Sequence, residues 1–219
     1  MRIGVLSDVH ANAVALDAVL ADMPPVDRIV NAGDVVGYNP WPGACVETVR
    51  ERTAVSVIGN HDLKVATETN FSQNRMAQAG IRHAIEELSA EQREWIASLS
   101  DSRRCCADRV KVVHGHPDHP NHYTYPEEFG PHLLDDEDVL VMGHTHVQHA
   151  EQYDEGIVLN PGSVGQPRDR DPRAAYAIVD LDALSVETRR VEYDVDAVVD
   201  AIEAAGLPER TGARLRRGE

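Results

Sequence analysis

Short apolar, β-branched runs alternate along this chain with stretches in which apolar residues return every three or four positions, a pattern that predicts strands joined by helices. Residues 2–7 are apolar with little alternation, as a strand buried on both faces requires. Residues 13–21 then predict an amphipathic helix whose inner face draws on Val14, Leu16, Val19 and Leu20, and Pro24-Pro25 stops it. Residues 28–32 predict a second strand. Trp41-Pro42-Gly43 reads as a loop, followed by a short helix through Arg50, and Val55-Ser56-Val57-Ile58 as a third strand. From Asn70 to Leu99 the spacing is helical, through Met76, Ala79, Gly80, His83, Ala84 and Leu88, with Ser89-Ala90-Glu91-Gln92 restarting a second helix by a capping-box-like opening. Further strands are expected at 110–113, 139–142 and 157–160, and a terminal hairpin at 174–180 and 185–193. A last helix is expected at 194–205, and the arginine-rich end after Pro208 is expected to fray.

The 219 residues allow one large domain or two small ones, and nothing in the pattern forces a boundary, so 1–219 is read as a single α/β domain. Composition changes the picture through charge. With 37 acidic and 21 basic residues the formal charge is −16. A field of that sign repels a phosphate backbone, so an extended nucleic-acid partner is disfavoured, and an anionic substrate would need local positive charge such as bound metal ions. Lys64 and Lys111 are the only lysines. Acid excess with scarce lysine resembles a salt-adapted composition, although GC-rich coding accounts for the arginine bias equally well. Cys45, Cys105 and Cys106 form no Cys-x-x-Cys pair, which argues against a disulfide framework or zinc ribbon and fits a reducing compartment. No signal peptide and no membrane span are visible, so the expected location is cytoplasmic, without a membrane partner.

Candidate chemistry gathers where strands are expected to end. Ser7-Asp8-Val9-His10 closes the first strand, and in extended backbone Asp8 and His10 would point to one side and could share an ion. Gly33-Asp34 closes the second, where glycine allows close approach and a carboxylate can bridge two cations. Gly59-Asn60-His61-Asp62 is expected where the third ends and its loop begins, and sets a neutral amide ligand beside a proton-transfer group. Asp62 either orients His61 or caps the turn. Of the five histidines between 114 and 132, His114 sits at a strand end; His116 is a further candidate for the same pocket, His119 and His122 read as loop, and His132 as a surface turn. Gly143-His144-Thr145-His146 places two imidazoles two apart at another strand end, a local sign of a transition-metal site. His83 and His149 read as ordinary helix and strand residues. Pro161-Gly162-Ser163-Val164-Gly165 is a turn that could fold back over the site.

Collected, Asp8, His10, Asp34, Asn60, His114, His144 and His146 are too many donors for one tetrahedral ion. Two ions sharing Asp34 would each receive four. Such pairs sit about 3.5–4 Å apart and clamp the oxygens of an in-line displacement at phosphorus.

Taken in this order, Asp-x-His, Gly-Asp, Gly-Asn-His-Asp, a strand-end His-Gly and Gly-His-Thr-His resemble the calcineurin-like metallophosphoesterase superfamily. Asn160-Pro161-Gly162-Ser163-Val164-Gly165-Gln166-Pro167-Arg168 resembles its small bacterial and archaeal phosphodiesterase branch. The resemblance spans residues 3 to about 180. It implies a four-layer αββα sandwich, two mixed β-sheets packed face to face and flanked by helices. By analogy Asp8, His10, Asp34 and His146 would hold one divalent ion and Asp34, Asn60, His114 and His144 the other, with Mn favoured over Ni, Fe and Zn. His61 would be the catalytic acid, protonating the leaving oxygen or stabilising its charge, and a metal-bridging hydroxide the nucleophile. Asp34 is followed by Val35-Val36-Gly37-Tyr38 rather than the Asp-Arg-Gly of the family's protein and dinucleoside-polyphosphate phosphatases, which makes a phosphomonoesterase or phosphoprotein phosphatase the second reading. His116 stands where relatives often carry a small hydroxyl residue. The expected partner is a small phosphorylated substrate, and a homo-oligomer is compatible with the sequence. A non-catalytic interaction scaffold is the third reading, opposed by the retention of His61 and every ligand.

Overall fold

The computed structural model describes residues 1–69 and 74–219; the expected helical pattern begins at 70–73, outside the described residues. The first apolar run is strand β1 (Arg2–Leu6), which pairs in parallel with β2 (Arg28–Asn31) and antiparallel with β9 (Ala174–Asp180). β3 (Val55–Ser56) extends β2 in parallel, and β10 (Ser185–Val191) completes the expected terminal hairpin with β9. The order is β10-β9-β1-β2-β3. A second five-stranded sheet contains β5 (Val110–Val113), β6 (Val139–Val141) and β8 (Ile157–Asn160) in parallel. Its edges are two antiparallel strands, β4 (Ser102–Cys105) and β7 (His149–Gln152). His149 is a strand residue as expected, but neither edge strand is marked by an apolar run, the two reading Ser-Arg-Arg-Cys and His-Ala-Glu-Gln.

Strand side chains alternate between faces, and this divides the apolar runs between two interiors. Ile3, Val5, Val30 and Ala177 meet Val112, Val139, Val141 and Leu159 between the sheets. The other face of the first sheet, with Leu6, Ile29, Tyr176 and Ile178, packs against α1 (Ala13–Asp22), α2 (Pro42–Arg52), α4 (Arg75–Glu87) and α5 (Ala90–Ala97). Outside the second sheet, Leu140, Met142 and Val158 are covered by Leu133 from a 3₁₀ turn and by Phe129. This is the expected four-layer α/β sandwich of two mixed sheets, thin in its fourth layer.

The capping prediction for α5 holds: Ser89 Oγ accepts the Gln92 amide at 3.2 Å, and Gln92 Oε1 accepts the Ser89 amide at 3.0 Å. Two expectations do not hold. Gly59-Asn60-His61-Asp62 does not begin a loop but opens helix α3 (Asn60–Ala66), started by Asp62, whose Oδ2 accepts the Gly59 amide at 3.1 Å. The end after Pro208 does not fray. It forms α7 (Glu209–Leu215), which packs on α6 (Val195–Ala204) by burying Leu215 with Val198, Ile202 and Leu207. From 207 to the end the only large apolar residues are Leu207 and Leu215, too sparse to read as a periodicity. No helix among the described residues is long and apolar enough to cross a membrane.

Candidate active site

Because β1, β2 and β3 are parallel, as are β5, β6 and β8, their C-terminal ends deliver loops to one edge of the sandwich. Backbone hydrogen bonds stitch those loops together: the Asp8 amide donates to Gly33 O at 3.0 Å, the His10 amide to Asp34 O at 3.0 Å, and Gly143 to His114 O at 2.8 Å. The Pro161–Gly165 turn does fold back over the site. Ser163 Oγ donates to Asp8 O at 2.7 Å, and the Val164 and Gly165 amides reach Ser7 O and Asp8 O, each at 3.0 Å.

All seven expected donors lie in this edge, but their backbone differs from expectation. Extended strand was to bring Asp8 next to His10 and His144 next to His146. Instead β1 and β6 have already ended, and all four residues are left-handed, with φ of 52°, 46°, 69° and 61°. Asp34 is also left-handed, φ 53°. Each such residue costs about 1–3 kcal/mol, tolerated where surrounding bonds over-determine it, as here. Gly33 (φ +96°) and Gly37 (φ +98°) carry the turns beside Asp34; a Cβ on Gly37 would lie 2.4 Å from His61 Nδ1, so glycine there is the space the imidazole occupies.

The two carboxylates share one arrangement. Asp8 Oδ2 accepts from Ser7 Oγ at 2.6 Å and from the His144 amide at 3.0 Å, while Oδ1 accepts no hydrogen bond and faces His146 Nε2 at 3.2 Å and His10 Nε2 at 3.6 Å. Asp34 Oδ1 accepts the His61 amide at 2.8 Å, while Oδ2 faces His114 Nε2 at 3.4 Å and His10 Nε2 at 3.7 Å. One oxygen of each is tied to the fold and the other is aimed inward. The imidazoles match. His10, His114 and His146 each donate Nδ1–H to a backbone carbonyl, of Val36 (3.0 Å), Ala32 (2.7 Å) and Gln166 (2.6 Å). A carbonyl can only accept, so each Nδ1 carries a proton and each Nε2 points into the cluster. Asn60 Oδ1 stands 3.2 Å from His114 Nε2, and His144 Nδ1 stands 3.2 Å from the same nitrogen.

Inward lone pairs of nitrogen and oxygen at these distances repel one another unless positive charge lies among them. Three sets of donor atoms lie within 4.8 Å of one another: Asp8, His10 and His146; His10, Asp34 and His61; Asp8, Asp34 and His114. Buried imidazole and carboxylate donors of this kind suit a divalent transition metal. Protons alone answer the repulsion poorly. Burial pushes the pKa of His10 and His146 down and lowers His61 and His144 to about 4. Burial would raise Asp8 and Asp34, but the surrounding histidines, His146 foremost for Asp8 and His114 for Asp34, hold both below the usual carboxylate range. Against burial, Asp34 raises His114 to about 10.

His61 is buried beside His10, 4.8 Å between ring centroids, with Nδ1 lacking a hydrogen-bond partner. Asp62 does not orient it: its carboxylate accepts the Gly59 and Val36 amides, each at 3.1 Å, and so fastens the β2 loop to α3. Burial, and then repulsion from Asp34, raise Asp62 to about 7. His116 lines the cleft next to Asn60 and His114, stacks on His119 at 5.2 Å and accepts the Asp118 amide. His119, His122 and His132 are exposed, and His83 bonds Pro40 O at 3.1 Å.

Sequence reasoning left three residues of the site without a role. Tyr38 is buried with its ring centroid 4.8 Å from those of both His10 and His61. Arg168 donates from Nη2 to the Tyr38 hydroxyl at 3.1 Å and to Gln166 Oε1 at 2.8 Å, and its buried Nε has no partner. Tyr123 stacks on His144 at 3.8 Å between centroids. The available signal was an arginine ending the Asn160–Arg168 motif and an aromatic at every second position of Tyr123-Thr124-Tyr125.

Known proteins are similar to this chain over most or all of its length. An uncharacterised protein of Methanocaldococcus jannaschii is 32% identical over 99% of this chain and 98% of its own. Phosphodiesterase YfcE of Escherichia coli is 28% identical over 85% of this chain and 91% of its own. The crystal structure of a metallophosphoesterase from Sphaerobacter thermophilus superposes with a TM-score of 0.87 at 37% identity, covering 100% of this chain and 99% of that one. Residues 1–184 match the model of the calcineurin-like phosphoesterase superfamily domain, and with the ordered donor set and the two-sheet sandwich this places the chain in that superfamily.

Proposed function

We propose that this protein is a metal-dependent phosphodiesterase that hydrolyses small phosphodiesters or nucleotides at a site for two divalent cations. The observation that carries the reading is the inward face of the cluster, where Asp8 Oδ1, which accepts no hydrogen bond, Asp34 Oδ2 and the Nε2 atoms of His10, His114 and His146 converge. Asp8, His10, Asp34 and His146 would hold one ion and Asp34, Asn60, His114 and His144 the other, with manganese favoured among Mn, Ni, Fe and Zn. Bound there, the ions would supply Lewis-acid charge to the phosphoryl oxygens and lower the pKa of the attacking water.

The chain's own groups account for the rest. The carbonyls of Val36, Ala32 and Gln166 hold three imidazoles in the ligating tautomer. His61, with a pKa near 4, is neutral at pH 7, which favours donation of an N–H bond to the charge growing on the leaving oxygen over full protonation. The similarity to a named phosphodiesterase supports the diester as substrate, and Val35-Val36 after Asp34 supports it against the phosphatase reading.

The test is to strip the metal, restore Mn²⁺ or Ni²⁺, and compare bis-p-nitrophenyl phosphate with p-nitrophenyl phosphate at low and molar salt. Preference for the diester supports the proposal. Preference for the monoester replaces it with the phosphatase reading, and silence on both with metal bound replaces it with the scaffold.

A further inference from the structure

The loop between β5 and β6 exposes aromatic surface beside a charged site. Tyr123 and Tyr125 are 42% and 45% exposed, two of only four large apolar side chains so exposed among the described residues. Their rings are nearly parallel, 17° between planes with centroids 6.3 Å apart. Tyr123 itself lies on His144, inclined by 25°. An aromatic shelf therefore starts on one of the proposed ligands and runs outward to solvent. Such a shelf in a polar, histidine-rich loop has no core to support. Flat rings exposed this way suit stacking of another flat ring.

A cation stands beside the same site. The Arg168 guanidinium lies over the Tyr38 ring, 5.6 Å from its centroid, and its hydrogen-bond acceptors, the Tyr38 hydroxyl and Gln166 Oε1, are neutral. Its buried Nε is left without a partner. In a chain of formal charge −16, an arginine held by neutral groups keeps its full charge for an anion. Tyr38 under Arg168 lies 4.8 Å from His10 between ring centroids and Tyr123 lies on His144, and both histidines meet the Asp8 carboxylate, so cation and shelf flank one cluster.

From this pairing we propose that the site is built for a nucleoside phosphate: Arg168 holds a phosphoryl oxygen while the base stacks on the Tyr123–Tyr125 shelf. The inference rests on the phosphodiesterase reading for the reaction, which would then take a nucleotide diester, but its binding half stands apart. Tyr123 already has a ring face on His144, whereas Tyr125 is the outer ring of the shelf, so Tyr125 is the discriminating residue. Phosphate alone, or a sugar phosphate without a base, reaches Arg168 and the ions but not the shelf.

The experiment is calorimetric titration of the Mn²⁺-loaded protein with AMP, ribose 5-phosphate and inorganic phosphate, alongside wild-type turnover of bis-p-nitrophenyl phosphate. AMP is expected to bind about tenfold more tightly than ribose 5-phosphate, as one stacked base provides. Tyr125→Ala should bring the two within about twofold, Tyr125→Phe should keep the preference, and Arg168→Lys should weaken both ligands while leaving their ratio intact. Equal binding of AMP and ribose 5-phosphate by the wild type, or a preference that survives Tyr125→Ala, overturns the shelf; binding untouched by Arg168→Lys overturns the phosphate contact. Diester turnover without a base preference sinks this inference and leaves the phosphodiesterase reading standing. A Tyr125-dependent preference without turnover of the diester does the reverse.

Discussion

His10 and His146 face each other with their Nε2 atoms 3.1 Å apart, although each has already committed its Nδ1 proton to a backbone carbonyl. Two neutral imidazoles in those tautomers would set lone pair against lone pair. A cation coordinated between them and Asp8 would relieve the contact, which is why the arrangement reads as a site and not as core packing.

Metal removal should therefore loosen the whole edge. A ligand present at about 100 times its Kd stabilises the native state by about 2.7 kcal/mol, and for a domain of this size each kcal/mol moves Tm by about 2–4 °C. Calorimetric melting after chelation is expected to fall by about 5–10 °C and to recover with Mn²⁺. An identical Tm with and without chelator would contradict a bound-ion site.

Replacing His61 separates chemistry from metal binding if the ions take the two proposed ligand sets, to which it does not belong although it stands within 4.8 Å of donor atoms of His10 and Asp34. His61→Ala should lower kcat by about 100-fold to 10,000-fold, the usual range for loss of one proton-transfer or donor group. Metal content by elemental analysis should be unchanged. Turnover equal to wild type would remove His61 from the mechanism.

The pH dependence of the metal-free protein follows from the same histidine. His61 is lowered to about 4 by burial, below its ordinary 6.5, so its contribution to stability is complete above 6.5 and is lost as pH falls through 4. His144, also lowered to about 4, acts in the same direction. Asp62, raised to about 7 by burial and Asp34, acts oppositely, its contribution being complete below the ordinary carboxylate value and lost as pH rises through 7. His61→Gln isolates the first effect. Between pH 7 and pH 5 the urea midpoint of this variant should rise relative to wild type, and a constant difference would refute the depressed pKa.

Leu215 tests the C-terminal helix. It is fully buried with Val198, Ile202 and Leu207, so Leu215→Ala should cost about 2–5 kcal/mol in urea unfolding. A frayed tail would lose nothing.

The periodicities of this chain were enough to place both sheets' inner strands and most of the helices, because an element that buries a whole face must write that face into its sequence. They were also enough to nominate Asp8, His10, Asp34, Asn60, His61, His114, His144 and His146, since donors repeatedly placed just after apolar runs have nowhere to go but the ends of strands. Edge strands β4 and β7 and helix α7 bury too little to leave such a record. Convergence itself was decided in three dimensions. Left-handed turns at Asp8, His10, Asp34, His144 and His146, rather than the extended backbone expected, aim the donors inward, and carbonyls from distant segments select their tautomers. Arg168 came to Tyr38 across 130 positions of chain, and Tyr123 to His144 across a loop with no regular pattern. Such meetings depend on how loops close over a finished sandwich, and no local pattern of hydrophobic and polar residues encodes them.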